Sequence, residues 1–121
     1  MESHDSDVLD RDALLDRLGG DIGLFEEITG LFIEDCPKLL SQIRSAVSGG
    51  DARALEQAAH TLKGCVANFG ADAAYQAALR LERIGRAGEL DDASSACSNL
   101  EAEVGRFQQA LQALARELMR P

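Results

Sequence analysis

The stretch "DARALEQAAHTLKGCVANFGADAAYQAALRLERIGRAG", residues 51–88, decides the fold. At about 100° per residue, Leu55, Ala58, Ala59, Leu62, Cys65, Val66 and Phe69 share one helical face. Beyond Gly70, a second stripe runs through Ala74, Ala77, Ala78, Leu81 and Ile84. Asp51 is placed to cap the first helix, which the pattern carries to about Phe69. Gly70 suits the left-handed position that ends it. The second helix spans about Asp72 to Arg86 and stops at Gly88. So short a turn between amphipathic helices makes them antiparallel neighbours. With the turn centred near Gly70, His60 falls level with about Leu79–Arg80.

The same punctuation continues outward. Asp10 can cap a short helix, with Leu9 and Leu14 as a hydrophobic staple, and Gly19-Gly20 ends it. Asp21 can cap the next, whose stripe is Ile22, Phe25, Ile28, Phe32, Leu39, Leu40, Ile43 and Val47. Pro37 predicts a kink or brief break near Asp35–Pro37, and Gly49-Gly50 stops the segment. A last helix begins near Asp91 or Asp92 and continues almost to Pro121, with Ala96, Leu100, Val104, Phe107, Leu111, Leu114 and Leu118 on one face. No segment reads as a strand. The expected class is all-α: an antiparallel up-down four-helix bundle with a short N-terminal accessory helix. Residues 1–7, with an incidental His4, read as a disordered lead-in, and residues 8–120 as the bundle domain.

Composition narrows the function. The 121 residues suit one domain. Hydrophobic residues make up 45%, but aromatics only 4%, so the core is aliphatic and closely packed. A net charge of −9 repels nucleic acid and anionic membranes. No apolar run approaches the roughly 20 residues that span a bilayer, and no signal peptide opens the chain. Cys36, Cys65 and Cys97 form no CxxC. Their odd number argues against a disulfide framework, and reduced thiols in the cytoplasm are expected. Histidine pairs at metal-ligand spacing are absent, which leaves a metal-binding bundle without ligands. Glu26-Glu27 and Glu34-Asp35 diverge on a helix and read as a solvated face.

The candidate site is on the outside of the 51–69 helix. With its apolar face centred on Leu62, His60 lies about 160° away and points to solvent. Lys63 lies about 60° round from His60, Gly64 sits one turn above it, and Ala67 above that is small. An exposed mid-helix glycine costs about 1 kcal/mol relative to alanine. Here it clears the surface beside an imidazole, which suits approach by a macromolecule better than capture of a small ligand. A neutral ring nitrogen is a competent nucleophile for phosphoryl transfer, and the Lys63 ammonium could neutralise phosphoryl oxygens. There is no P-loop and no glycine-rich kinase loop, so a phosphoryl donor and any Mg²⁺ must come from outside.

"AHTLKG" followed by "ANFGA" resembles the signature of histidine-phosphotransfer (HPt) domains of bacterial phosphorelays. "LDRLGGD", "LFIEDCPKLL", "GDARAL" and "LERIGRAGEL" are similar to their HPt counterparts, over about residues 8–117. The resemblance implies that His60 carries the phosphoryl group, that Lys63 contacts it, and that Gly64 makes room for the partner. HPt domains commonly place a polar residue, often Gln, beside the imidazole from the next helix; here that position is Glu82. Ala67, Leu79 and Glu82 then join Gly64 as expected docking residues. The implied partners are receiver domains of response regulators or hybrid kinases, which bring their own Mg²⁺. The implied chain is a monomeric, cytoplasmic carrier with no cofactor and no ATP site of its own. Both a free-standing protein and the C-terminal piece of a hybrid sensor kinase fit it. A non-catalytic helical module that binds a receiver or kinase is the alternative, and the intact His60 counts against it.

Overall fold

The computed structural model describes residues 8–118. The expected lead-in at 1–7, His4 and the last residues of the expected domain lie outside the described residues. Among the described residues the main helices follow one another: α1 (Arg11–Leu18), α2 (Ile22–Gly49), α3 (Ala52–Ala67), α4 (Asp72–Ala87) and α5 (Ala93–Leu118). A 3-10 turn at Leu90–Asp92 leads into α5. Among the described residues there is no strand, and the fold is an all-α bundle. Each long helix packs on the next, and α5 closes back onto α2.

The caps read from the sequence form as expected. The carboxylates of Asp10, Asp21 and Asp51 accept from the backbone N–H groups of Ala13, Leu24 and Ala54 at 3.0–3.1 Å. Each satisfies one orphan donor at a helix start. The core is one continuous cluster of aliphatic side chains around a small aromatic centre. Phe32 of α2, Phe107 of α5 and Phe69 of the α3–α4 turn meet with ring centroids 5.0–5.6 Å apart.

Three expectations change. Helix α2 is continuous from Ile22 to Gly49, so of the expected kink or brief break at Asp35–Pro37 the break does not occur. Pro37 deprives only the Ile33 carbonyl of its partner. Ile33 is 51% exposed, so water can take that bond, while buried Phe32, Cys36 and Leu39 hold both halves on the core. Ile22, expected in the stripe, is exposed. It opens the helix and lies about 60° round from Phe25. Helix α3 ends at Ala67 rather than Phe69. The backbone turns over residues 68–70, with Gly70 at φ +68°, and this carries Phe69 inward to its aromatic partners. Arg17 of α1 covers the turn, its guanidinium donating to the carbonyls of Ala67 and Asn68 at 3.3 and 2.9 Å. Those carbonyls lie at the negative end of α3, where a cation is favoured.

The tightest contact in the bundle is between α3 and α4, at Gly85. A Cβ there would lie 2.7 Å from the Glu56 nitrogen and 2.8 Å from the Ala52 carbonyl oxygen. Both are backbone atoms of α3, so α4 approaches with nothing between the two main chains. Small residues continue the seam: Ala74, Ala77 and Ala78 on α4 and Ala58 and Ala59 on α3 are all buried. This contact fixes the register of the helix pair.

Two glycine substitutions should therefore move stability in opposite directions. Gly85→Ala should cost about 1–3 kcal/mol, because the helices must part. Gly64→Ala, where a Cβ meets nothing within 4 Å, should gain up to about 1 kcal/mol from helix propensity. Urea unfolding of both variants checks this. A Gly85→Ala protein as stable as the parent would contradict the close approach.

Candidate functional site

Helices α3 and α4 run antiparallel, and their ion pairs report the register. Arg86 meets Glu56 at 3.0 Å and His60 meets Glu82 at 2.9 Å. Both pairs are symmetric about Ala71, one residue later than the expected centre at Gly70. His60 therefore sits opposite Glu82 rather than level with Leu79–Arg80.

The imidazole lies outside, with 67% of its side chain exposed, while the Glu82 side chain beneath it is 3% exposed. Glu82 is a carboxylate sealed under polar neighbours rather than within the apolar core. Its Oε2 accepts from His60 Nδ1 and from an Arg86 Nη2, each at 2.9 Å. Its Oε1 lies 2.7 Å from Lys63 Nζ. Arg86 also donates through Nε to Glu56 Oε2 at 3.0 Å, which ties the guanidinium to both helices. One buried carboxylate thus gathers an imidazole, an ammonium and a guanidinium. A buried charge needs such partners to offset its lost hydration.

The Lys63 ammonium holds the Glu82 carboxyl below the usual carboxylate range; burial opposes this and His60 adds to it. An ionised carboxylate can only accept hydrogen bonds, so the proton between the two residues belongs to His60 Nδ1. A neutral ring then keeps its lone pair on Nε2, the nitrogen not bonded to Glu82.

The surface above the imidazole is clear. Gly64 and Ala67 are exposed, and a Cβ at Gly64 would meet nothing within 4 Å. On the other side of His60 lies an open depression lined by Arg53, Glu56, Gln57, Thr61, Glu82 and Arg86. Lys63 belongs to the site, but its ammonium is turned to Glu82 and stands 5.9 Å from the Tyr75 ring centroid. Leu79 is half-buried and lines a separate groove on α4 with Gln76, Arg83 and Ile84. Tyr75, its neighbour one turn away, packs against the core.

Sequence reasoning missed Glu56, Arg86 and Arg53. The spacing Glu82–Arg86 at i, i+4 is a legible pairing signal. Glu56, one turn before His60, is legible only once α4 is placed. Among the described residues, no group of His, Cys, Asp and Glu is placed to hold a metal. The three cysteines are free, and burial pushes the Cys36 thiol up to about 11. No described helix is long and apolar enough to cross a membrane.

An exposed imidazole braced from behind, on a surface with no enclosing pocket, suits a module that presents a histidine to another macromolecule. The Hpt domain family matches residues 27–118, about three quarters of the chain, and the chain belongs to that family. Hpt domains are phosphocarrier modules of two-component phosphorelays and interact with receiver domains. No curated protein and no solved structure gave a match.

The lowered pKa of Glu82 has a sign that can be measured. Its ionised form is favoured by the fold, so the stability it contributes is complete above the unfolded value. That contribution is lost as pH falls through the lower folded value. Carbon-detected NMR should give Glu82 a midpoint below 4.5, the ordinary value. Lys63→Met should raise that midpoint. A midpoint at or above 4.5 in the parent would contradict the arrangement.

Proposed function

We propose that residues 8–120 form a phosphoryl carrier that accepts a phosphoryl group on His60 Nε2 from a receiver's aspartyl phosphate and passes it to an aspartate of another receiver. The observation that carries this reading is the pairing of an exposed His60 with a buried, ionised Glu82 beside open space at Gly64.

In the forward step the Nε2 lone pair attacks phosphorus. The bond to the aspartyl oxygen breaks, and its electron pair returns to the receiver's carboxylate. Nδ1 keeps its proton throughout, so the phosphorylated ring carries one positive charge. Glu82 matches that charge from the Nδ1 side, while the phosphoryl group is attached on the other ring nitrogen. The carboxylate would repel the phosphoryl oxygens, but Lys63 and Arg86 already offset its charge. Lys63 is also the cation nearest to hand for the new anion. Exchange of its ammonium from Glu82 to the phosphoryl oxygens would stabilise the loaded state. The ring leaves in the reverse step with its charge balanced in the same way, so transfer runs in either direction.

The receiver contributes the carboxylates and Mg²⁺, and this chain acts as a single copy in the cytoplasm. Its own part is positional: a nucleophile held on a rigid helix, with the tautomer set by a buried acceptor.

His60→Gln should fold with the parent's stability and carry no acid-labile phosphate after incubation with phosphorylated receivers. Labelling equal to the parent's would place the acceptor elsewhere. Gly64→Gln should slow transfer by about 10- to 100-fold through misplacement of the partner, with the helix intact by circular dichroism. Unchanged transfer in a folded Gly64→Gln protein would refute the access argument.

A further inference from the structure

The chain is acidic, with 21 Asp and Glu against 12 Lys and Arg, yet the face around His60 has the opposite sign. Its two carboxylates are already engaged. Glu82 is shared by His60, Lys63 and Arg86, and Glu56 by Arg86. Beyond them stand further arginines, among them Arg53 and Arg83, both exposed and neither with a hydrogen bond or ion pair among the described residues.

Arg53 lies about two turns before His60 on the same outer face of α3, in the depression that also holds His60 and Glu82. Arg83 follows Glu82 on α4, turned by about 100° to the outer surface, where it lines the separate groove with Leu79, Arg80, Glu89 and Asp92. Over Gly64 and Ala67 the cations are engaged: Lys63 is turned to Glu82, and Arg17 is held by the Ala67 and Asn68 carbonyls. Farther off, α2 exposes Glu26, Glu27, Glu34 and Asp35. A chain with such an excess of carboxylates needs no cations here for solubility.

Resting on the phosphotransfer reading of His60, we infer that Arg53 and Arg83 are docking cations that select receivers with an acidic rim around the phosphorylated aspartate. A receiver pocket that holds Mg²⁺ must gather carboxylates, so its field is negative near the aspartate. Unpaired guanidiniums on the helix that carries His60 and on the helix beside it attract that field and steer the encounter. The acidic face of α2 repels it and disfavours docking there.

The test compares the parent with Arg53→Glu/Arg83→Glu and the milder Arg53→Gln/Arg83→Gln. Donors are two purified receiver domains, one with an acidic and one with a basic rim, each phosphorylated with acetyl phosphate. The reading is the second-order rate constant of transfer at low and high salt. Phosphoramidate labelling of His60 serves as a partner-free control. The acidic-rim receiver should lose about tenfold or more at low salt with the double Glu variant, and less with the double Gln variant. The difference should shrink at high salt, and the basic-rim receiver should not lose rate. Phosphoramidate labelling should stay at the parent's level. Transfer from the acidic-rim receiver that ignores both variants, with His60 still labelled by phosphoramidate, would overturn the docking role alone. Failure of every donor to label His60 in the parent would overturn the phosphotransfer reading and the docking role with it.

Discussion

Main-chain contact between α3 and α4 at Gly85 is the constraint on which the site depends. Side chains on two helices ordinarily hold the axes 8–10 Å apart. Without a Cβ at Gly85, backbone atoms of Ala52 and Glu56 come within 2.7–3.0 Å of where that carbon would be. The approach leaves α4 one register against α3, and in that register Glu82 arrives under His60 and Arg86 under Glu56. The turn reinforces the choice from the far end. Phe69 is pinned by Phe32 and Phe107, and Arg17 closes the carbonyls of Ala67 and Asn68.

Glu82 then converts packing into chemistry. A carboxylate 3% exposed is costly unless it is paired. Its partners are an imidazole whose tautomer it sets, an ammonium that the phosphotransfer reading assigns to the phosphoryl group, and a guanidinium that ties both helices. The arrangement leaves Nε2 free on an exposed face, with no pocket wall around it. Specificity must then come from the surface of the partner, and Gly64, Ala67 and the arginines at the rim become part of the functional design.

Much of this was legible in the sequence because it obeys local rules. Helix starts follow from Asp10, Asp21 and Asp51, whose carboxylates act within three residues of themselves. The outward position of His60 and the open space at Gly64 follow from helical periodicity alone. What stayed hidden depends on residues far apart in sequence. Gly85 looks like an ordinary helix glycine until α3 is laid against it. The resemblance puts Glu82 beside His60, but its burial comes from side chains on another helix and is not legible. The register slipped by about one residue at the turn, since helix α3 stops at Ala67 where its apolar stripe continues to Phe69. Pro37 reads as a break because the local rule ignores the core contacts on either side of it.

The central claim is that Glu82 holds the proton on His60 Nδ1 and so makes Nε2 the atom that carries phosphate. Nitrogen-15 NMR of the His60 ring, before and after phosphorylation, tests it most directly. The account predicts a protonated Nδ1 in the neutral ring and, after loading, phosphorus coupling at Nε2 with the Nδ1 proton retained. Phosphate on Nδ1, or a neutral ring protonated at Nε2, would contradict it.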